Sequence, residues 1–208
     1  MAQQTAEHAN GHVAASLGAV GERTTTKEAV VTRGTVWFTG LSGAGKTTVA
    51  TTLKGLLDSD EVRTFMLDGD LLREGLNADL TFSEEDRIEN VRRVGEVALL
   101  FASVGHLCLV TVISPYDAGR AAVRARHDVL GIPFVEVYVA TPLEVCESRD
   151  PKGLYARARR GEVARFTGIS APYEAPHDPD VEVVTTGKTP DQSAREVLSV
   201  LQAKGLAG

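Results

Sequence analysis

The residues with the most chemistry to offer are Gly40-Leu41-Ser42-Gly43-Ala44-Gly45-Lys46-Thr47. They fit G-x-x-x-x-G-K-[ST], the spacing of a phosphate-binding P-loop. Glycines at these points let successive backbone N–H groups converge on phosphate oxygens with no Cβ in the way. Lys46 is expected to reach the β- and γ-phosphates, and Thr47 to hold Mg²⁺ through its hydroxyl. A second candidate group is Asp68-Gly69-Asp70, two carboxylates one residue apart. The competing reading for the first stretch is a glycine-rich turn with a chance lysine. For Asp68 it is a polar turn whose carboxylate caps the next helix.

The flanking elements decide between these readings. Thr35-Val36-Trp37-Phe38-Thr39 is an apolar run that predicts a buried strand, and Lys46 to Asp58 reads as a helix. Strand, loop and helix in that order are what a P-loop requires. The helix N-terminus behind the loop favours negative charge. Val62 to Leu67 predicts a second strand, so Asp68 and Asp70 stand at its carboxyl end, where open parallel sheets collect ligands. Ser83, with Asp86 three residues on, approximates a capping box. Ile88, Val91, Val94, Ala98 and Phe101 recur at helical spacing, and Arg87 and Asn90 share another face of that helix. Leu107 to Ile113 is a continuous apolar run, expected for a central parallel strand, and ends in Ser114-Pro115-Tyr116. Asp117 to Leu130 reads as a helix, Pro133 to Ala140 as a strand, and Thr141-Pro142 opens a helix. Residues 150–180 are basic and rich in Gly and Pro, which predicts a lid closing over phosphates. Val181 to Thr185 supplies the last strand, and Thr189-Pro190 opens a helix ending near Gly205.

Composition narrows the class. The chain has 208 residues, a formal net charge of −6 and two cysteines. An acidic chain argues against a general nucleic-acid surface. Cys108 and Cys146 lack metal-ligand spacing and read as reduced structural thiols of a cytoplasmic protein. Apolar runs are too short for a membrane span, and no signal peptide is expected. Residues 1–30 contain no aromatics and read as a disordered tail. Residues 31–208 are expected to form one α/β domain.

In combination and order, these segments resemble the adenylylsulfate kinase (APS kinase) family. The resemblance is carried by Gly40 to Thr48, Leu67-Asp68-Gly69-Asp70, Gly75-Leu76-Asn77, Phe82-Ser83 and Asp86 to Arg93. It continues in Ile113-Ser114-Pro115-Tyr116, Cys146 to Tyr155, Phe166-Thr167-Gly168-Ile169 and Pro172-Tyr173-Glu174. It implies a three-layer P-loop nucleotide kinase fold with a mostly parallel sheet of about five strands and a lid. It implies transfer of the ATP γ-phosphoryl group to the 3′-hydroxyl of adenosine 5′-phosphosulfate (APS). Nucleotide contacts would come from Gly40, Leu41, Ser42, Gly43, Ala44, Gly45, Lys46, Thr47 and Thr48. Phe82 and Phe166 would sandwich the APS adenine. Alone, each ring would be read as core. Arg73, Arg87, Asn90 and Lys152 would hold the phosphosulfate or ribose, with Asp68, Ile113 and Leu154 as further contacts. Asp70 would orient or deprotonate the 3′-hydroxyl. Ser114 would be either a phosphorylated intermediate or a contact, and no neighbouring base favours the former. The resemblance also implies a homodimer and raises association with an ATP sulfurylase. Ala78, Thr81, Asp117, Ala156 and Arg160 depart from residues common in the family. Asp117 is expected to weaken attraction for an anionic substrate. The rival readings are a related kinase for another small alcohol and a nucleotide-switched binding protein.

Overall fold

A computed structural model describes residues 32–208. The expected tail over residues 1–30 lies outside them. Five strands form one sheet in the order β2-β3-β1-β4-β5, and every pairing is parallel. They are β1 (Gly34–Thr39), β2 (Thr64–Asp68), β3 (Leu107–Thr111), β4 (Phe134–Val139) and β5 (Val181–Val183). The helices are α1 (Lys46–Ser59), α2 (Gly69–Glu74), α3 (Glu84–Ser103), α4 (Asp117–Val129), α5 (Leu143–Arg149), α6 (Leu154–Arg159) and α7 (Pro190–Ala203).

Side-chain alternation along the central strands explains the three layers. Val36, Phe38, Leu107 and Leu109 point to one face, where they pack with Val49, Leu53 and Leu57 of α1 and Val197 and Leu201 of α7. Trp37, Cys108 and Val110 point to the other, against Val91, Val94 and Ala98 of α3 and Val123 of α4. Strands covered on both faces read as unbroken apolar runs, which is why β1 and β3 were legible. Edge strand β2 is only partly covered, with Phe65 exposed.

Helix ends follow local chemistry. Ser83 Oγ accepts from the Asp86 backbone N–H at 3.1 Å, so the expected cap is present. It is not a reciprocal box, because the Asp86 carboxylate turns back to the Thr81 backbone N–H (2.8 Å) and hydroxyl. Thr189 and Gln192 do form a reciprocal box at the start of α7. Strands β3 and β5 end earlier than the apolar runs predicted, and β2 begins two residues later. Beyond Thr111 the run Val112-Ile113 continues as irregular chain and bends into the site. Among the described residues, no helix is long and apolar enough to cross a membrane.

In the sheet, β1 lies between β3 and β4: after β1 the chain builds β2 and β3 on one side, then crosses over to β4 and β5 on the other. The register sets Asp68 beside Thr111 and Thr111 beside Phe38. Three carboxyl ends therefore stand side by side at this reversal, the crevice position of open α/β sheets.

Candidate active site

A cleft of about 1020 Å³ opens over these strand ends. The loop from Gly40 to Gly45 forms its floor. Gly40 (φ 146°) lies where a Cβ would come within 2.7 Å of the Val139 carbonyl oxygen. Gly43 (φ 73°) would meet the Cys146 carbonyl at 3.0 Å. Both positions exclude other residues by conformation and by space. Ser42, Gly43, Gly45, Lys46, Thr47 and Thr48 line the cleft. Ala44 is buried beneath the loop, and Leu41 faces a separate surface hollow with Gly168 and Tyr173.

Lys46 Nζ donates to the Gly40 carbonyl (2.9 Å) and the Leu41 carbonyl (2.8 Å), inside the loop's own curve. Burial lowers its pKa to about 8, against the opposing pull of Asp70 and Asp68. Thr47 Oγ1 donates to Asp68 Oδ2 at 2.9 Å, and Thr111 Oγ1 donates to the same oxygen at 2.9 Å. Asp68 Oδ1 accepts from the Asp70 backbone N–H at 2.9 Å and so caps α2. Burial raises the pKa of Asp68, but these three hydrogen bonds and a longer one from the Leu71 backbone N–H (3.5 Å) outweigh it and hold the group below the usual carboxylate range. Asp68 thus caps a helix and also lines the cleft beside the P-loop. Thr47, Asp68 and Thr111 make a cluster of hard oxygen donors, the kind Mg²⁺ prefers.

The β2 side of the cleft carries the other expected residues. Asp70 is exposed, and its carboxylate is paired with Lys152 Nζ from the lid. Arg73 Nη1 donates to the Leu80 and Thr81 carbonyls, both at 3.2 Å, and its guanidinium lies 4.4 Å from the Phe82 ring centre. Phe82 is 54% exposed and Phe166 only 8%. Both line the cleft, but Phe166 also packs edge-on against Tyr155 in the core. Arg87 joins their two segments: Nε donates to the Phe82 carbonyl (3.0 Å), Nη2 to the Arg165 carbonyl (2.6 Å) and Nη1 to Thr167 Oγ1 (2.6 Å). Three of its donors are therefore engaged in holding the walls. Asn90 stands one helical turn on, and Ile113 and Leu154 also line the cleft.

Ser114 is at the cleft, yet its side chain is turned inward and 2% exposed. Its Oγ accepts from Trp37 Nε1 (3.1 Å) and donates to Thr39 Oγ1 (2.9 Å). Its φ is +40°, a strained value for a residue with a Cβ. Arg120, buried and bonded to Glu136, donates to the Ser114 carbonyl at 2.8 Å and holds that turn.

The β5 side was not read from the sequence. Arg149 Nη1 donates to Thr185 Oγ1 (2.9 Å) and to the Gly43 and Ala44 carbonyls (3.3 Å each). Thr185 and Lys188 complete this wall. Arg149 was visible only as one of six basic residues in or beside the lid, with Lys152, Arg157, Arg159, Arg160 and Arg165, and nothing local singled it out. Thr167 and Thr111 were equally silent, since each acts only through a partner distant in sequence.

The chain matches the adenylylsulphate kinase family over residues 32–184. The chain belongs to this family. It is 53% identical over 166 residues to an adenylyl-sulfate kinase of Lactiplantibacillus plantarum, covering 80% of this chain and 79% of that one. It is 52% identical to the bifunctional enzyme CysN/CysC of Mycobacterium tuberculosis, covering 81% of this chain but 27% of that longer one. Among solved structures it resembles the M. tuberculosis APS kinase CysC in complex with AMPPNP and APS. The identity there is 51% and the TM-score 0.79, covering 82% of this chain and 98% of that one.

Against this adenylylsulphate kinase background, two expectations need correction. The lid is not uniformly a phosphate clamp: Arg159 pairs with Glu147, and Arg157 and Arg160 pair with Glu162. Of the six basic residues, Lys152 reaches Asp70 and Arg149 reaches the loop. Lid residues Tyr155, Ala158 and Phe166 are core, and the Tyr155 hydroxyl donates to the Ser42 carbonyl at 2.9 Å. Asp117 does not stand as a free negative charge, because it pairs with Arg120 at 3.0 Å.

Proposed function

We propose that this chain is an adenylylsulfate kinase, transferring the γ-phosphoryl group of ATP to the 3′-hydroxyl of APS to give 3′-phosphoadenosine 5′-phosphosulfate and ADP. One observation carries this reading: a single cleft has the P-loop at its centre and a different wall on each side. The β5 side, with Arg149, Thr185 and Lys188, suits the ATP base. The β2 side, with Phe82, Phe166, Arg73, Arg87 and Asn90, suits a second adenine nucleotide with anionic groups. Stacking between two aromatic rings recognises a base through both of its π-faces.

The loop N–H groups and Lys46 hold the β- and γ-phosphates. Thr47, with Asp68 and Thr111 behind it, would hold Mg²⁺, which offsets phosphate charge when bound. Asp70 accepts the proton of the 3′-hydroxyl as its oxygen bonds to the γ-phosphorus and the bond to the β-phosphate oxygen breaks. The transition state is loose, so positioning contributes more than basicity. Lys152 exchanges its contact with Asp70 for the substrate anion. Ser114 shapes the turn under the acceptor, since its hydroxyl is taken up by Trp37 and Thr39. The two buried thiols suit a reducing cytoplasm. A homodimer, and an association with ATP sulfurylase, belong to the same proposal. The second is supported by the relative in which the matched segment is 27% of a longer bifunctional chain.

A coupled assay for ADP release, with and without APS, tests the proposal. ADP release that depends on APS is the expected result. Release that ignores APS but responds to another alcohol would replace it with the related-kinase reading.

A further inference from the structure

Asn77 sits in the turn between α2 and α3 and is fully buried. Its backbone is fixed on both sides: its N–H donates to the Leu72 carbonyl (2.8 Å), and its carbonyl accepts from the Leu80 N–H (3.1 Å). Its side-chain Nδ2 donates to Asn90 Oδ1 at 3.1 Å, while its own Oδ1 is sealed without a partner. Burying an amide costs free energy that one hydrogen bond only partly returns, and an apolar residue would fill this turn without that cost. What the amide does here is act on Asn90.

An asparagine side chain offers a carbonyl on one side and an NH₂ on the other, and either can face a ligand. With Oδ1 of Asn90 occupied by Asn77, its Nδ2 is left without a partner among the described residues, at the cleft wall. Arg73 and Arg87 beside it are donors only. We propose that Asn77 is a positioning residue: it locks the Asn90 amide with NH₂ toward the cleft, so that Asn90 presents a donor there, as Arg73 and Arg87 do. At the Asn90 position the wall then selects an acceptor-only oxygen, such as that of a phosphate or sulfate group, over a hydroxyl or ammonium donor. The inference rests on the proposed APS site and adds the residue that sets its polarity.

The test is steady-state kinetics on wild type, Asn77→Asp and Asn77→Ala between about pH 5.5 and 8.5, with folding followed by circular dichroism. At the alkaline end the introduced carboxylate can only accept, so Asn90 must turn its NH₂ away from the cleft. The KM for APS should rise about 10- to 100-fold, while the KM for ATP stays unchanged. As pH falls through the carboxyl pKa, which burial raises, the introduced group becomes a donor again and the KM for APS should return toward wild type. Asn77→Ala frees the amide without reversing it and should give a smaller, pH-independent rise in KM for APS. A merely structural role would not produce the acid rescue. A wild-type KM for APS in both variants would overturn the proposal, as would equal losses for ATP and APS, or an Asn77→Asp defect that acid does not relieve. Should Asn77→Asp not fold at alkaline pH, Asn77→Ala decides by its KM for APS alone. Wild type that turns over no APS would instead overturn the functional reading.

Discussion

Asp70 and Ser114 both follow strand ends at the cleft, and their surroundings differ. Asp70 is exposed and paired with the half-exposed Lys152, so its carboxylate is accessible to an arriving hydroxyl. Ser114 is buried, with its proton directed to Thr39 and its lone pair to Trp37. We predict that Asp70→Asn keeps binding of both nucleotides but lowers kcat about 10²- to 10⁴-fold. Ser114→Ala should retain turnover, and should shift the emission of the chain's one tryptophan. Wild type incubated with γ-labelled ATP and no APS should carry no label. Label on Ser114 that chases into product would establish a phosphoserine route. Lys46 yields a second prediction. With a pKa near 8 in the free protein, it is partly deprotonated just above neutrality, and bound phosphates favour its charged form. Nucleotide binding near pH 8 should take up protons, measured by titration calorimetry in buffers of different ionisation enthalpy. The uptake should vanish at pH 6.5 and in Lys46→Met. The sign for folding is opposite to that of a stabilising ion pair. The unfolded lysine binds its proton more tightly, so this group's contribution to stability rises with pH between about 8 and 10.5.

At the scale of elements, the two aromatic walls come from unlike places. Phe82 belongs to the short segment between α2 and α3, whose carbonyls are tied down by Arg73 and Arg87. Phe166 belongs to the lid and is also core. Replacing them therefore has different consequences. Phe82→Ala should weaken APS binding by roughly 1–3 kcal/mol with little change in thermal stability. Phe166→Ala should weaken it similarly and also lose roughly 3–5 kcal/mol of folding stability. ATP binding should survive in both where the protein is folded. APS affinity unchanged in Phe82→Ala, measured by calorimetry, would remove that ring from the site. Arg87, which bonds segments around both rings, makes α3 the spacer between the walls.

At the scale of the whole molecule, the cleft is built from the ends of strands across the sheet, from Asp68 after β2 to Thr185 after β5, and from the lid. A ligand pair filling it ties together elements that are otherwise joined mainly through the core. APS and ADP together, at about 100 times the dissociation constant of the ternary complex, should stabilise the fold by about 2.7 kcal/mol, a rise in Tm of roughly 5–11 °C. A thermal shift no larger than that with ADP alone would mean that the β2 side takes no second nucleotide.

What was legible beforehand had a local cause. The P-loop could be read because its function is performed by backbone geometry, which consecutive residues such as Gly40, Gly43 and Gly45 determine by themselves. The layering was legible because β1 and β3 are apolar on both faces and α3 on one stripe. Ser83 and Thr189 announced their helices because a cap acts over three residues. Tertiary structure decided everything that depends on distant pairs. The acceptor for Thr47 is Asp68, across two elements. Arg159 and Arg160 are paired with Glu147 and Glu162, while Arg149 is brought against the loop. Arg87 reaches Thr167 and Asn77 reaches Asn90. The Ser114 hydroxyl finds its partners in Trp37 and Thr39 of β1. A side chain's type says which hydrogen bonds it can make, but only the folded chain supplies the partner that takes them up, and with it the direction in which the remaining donors point.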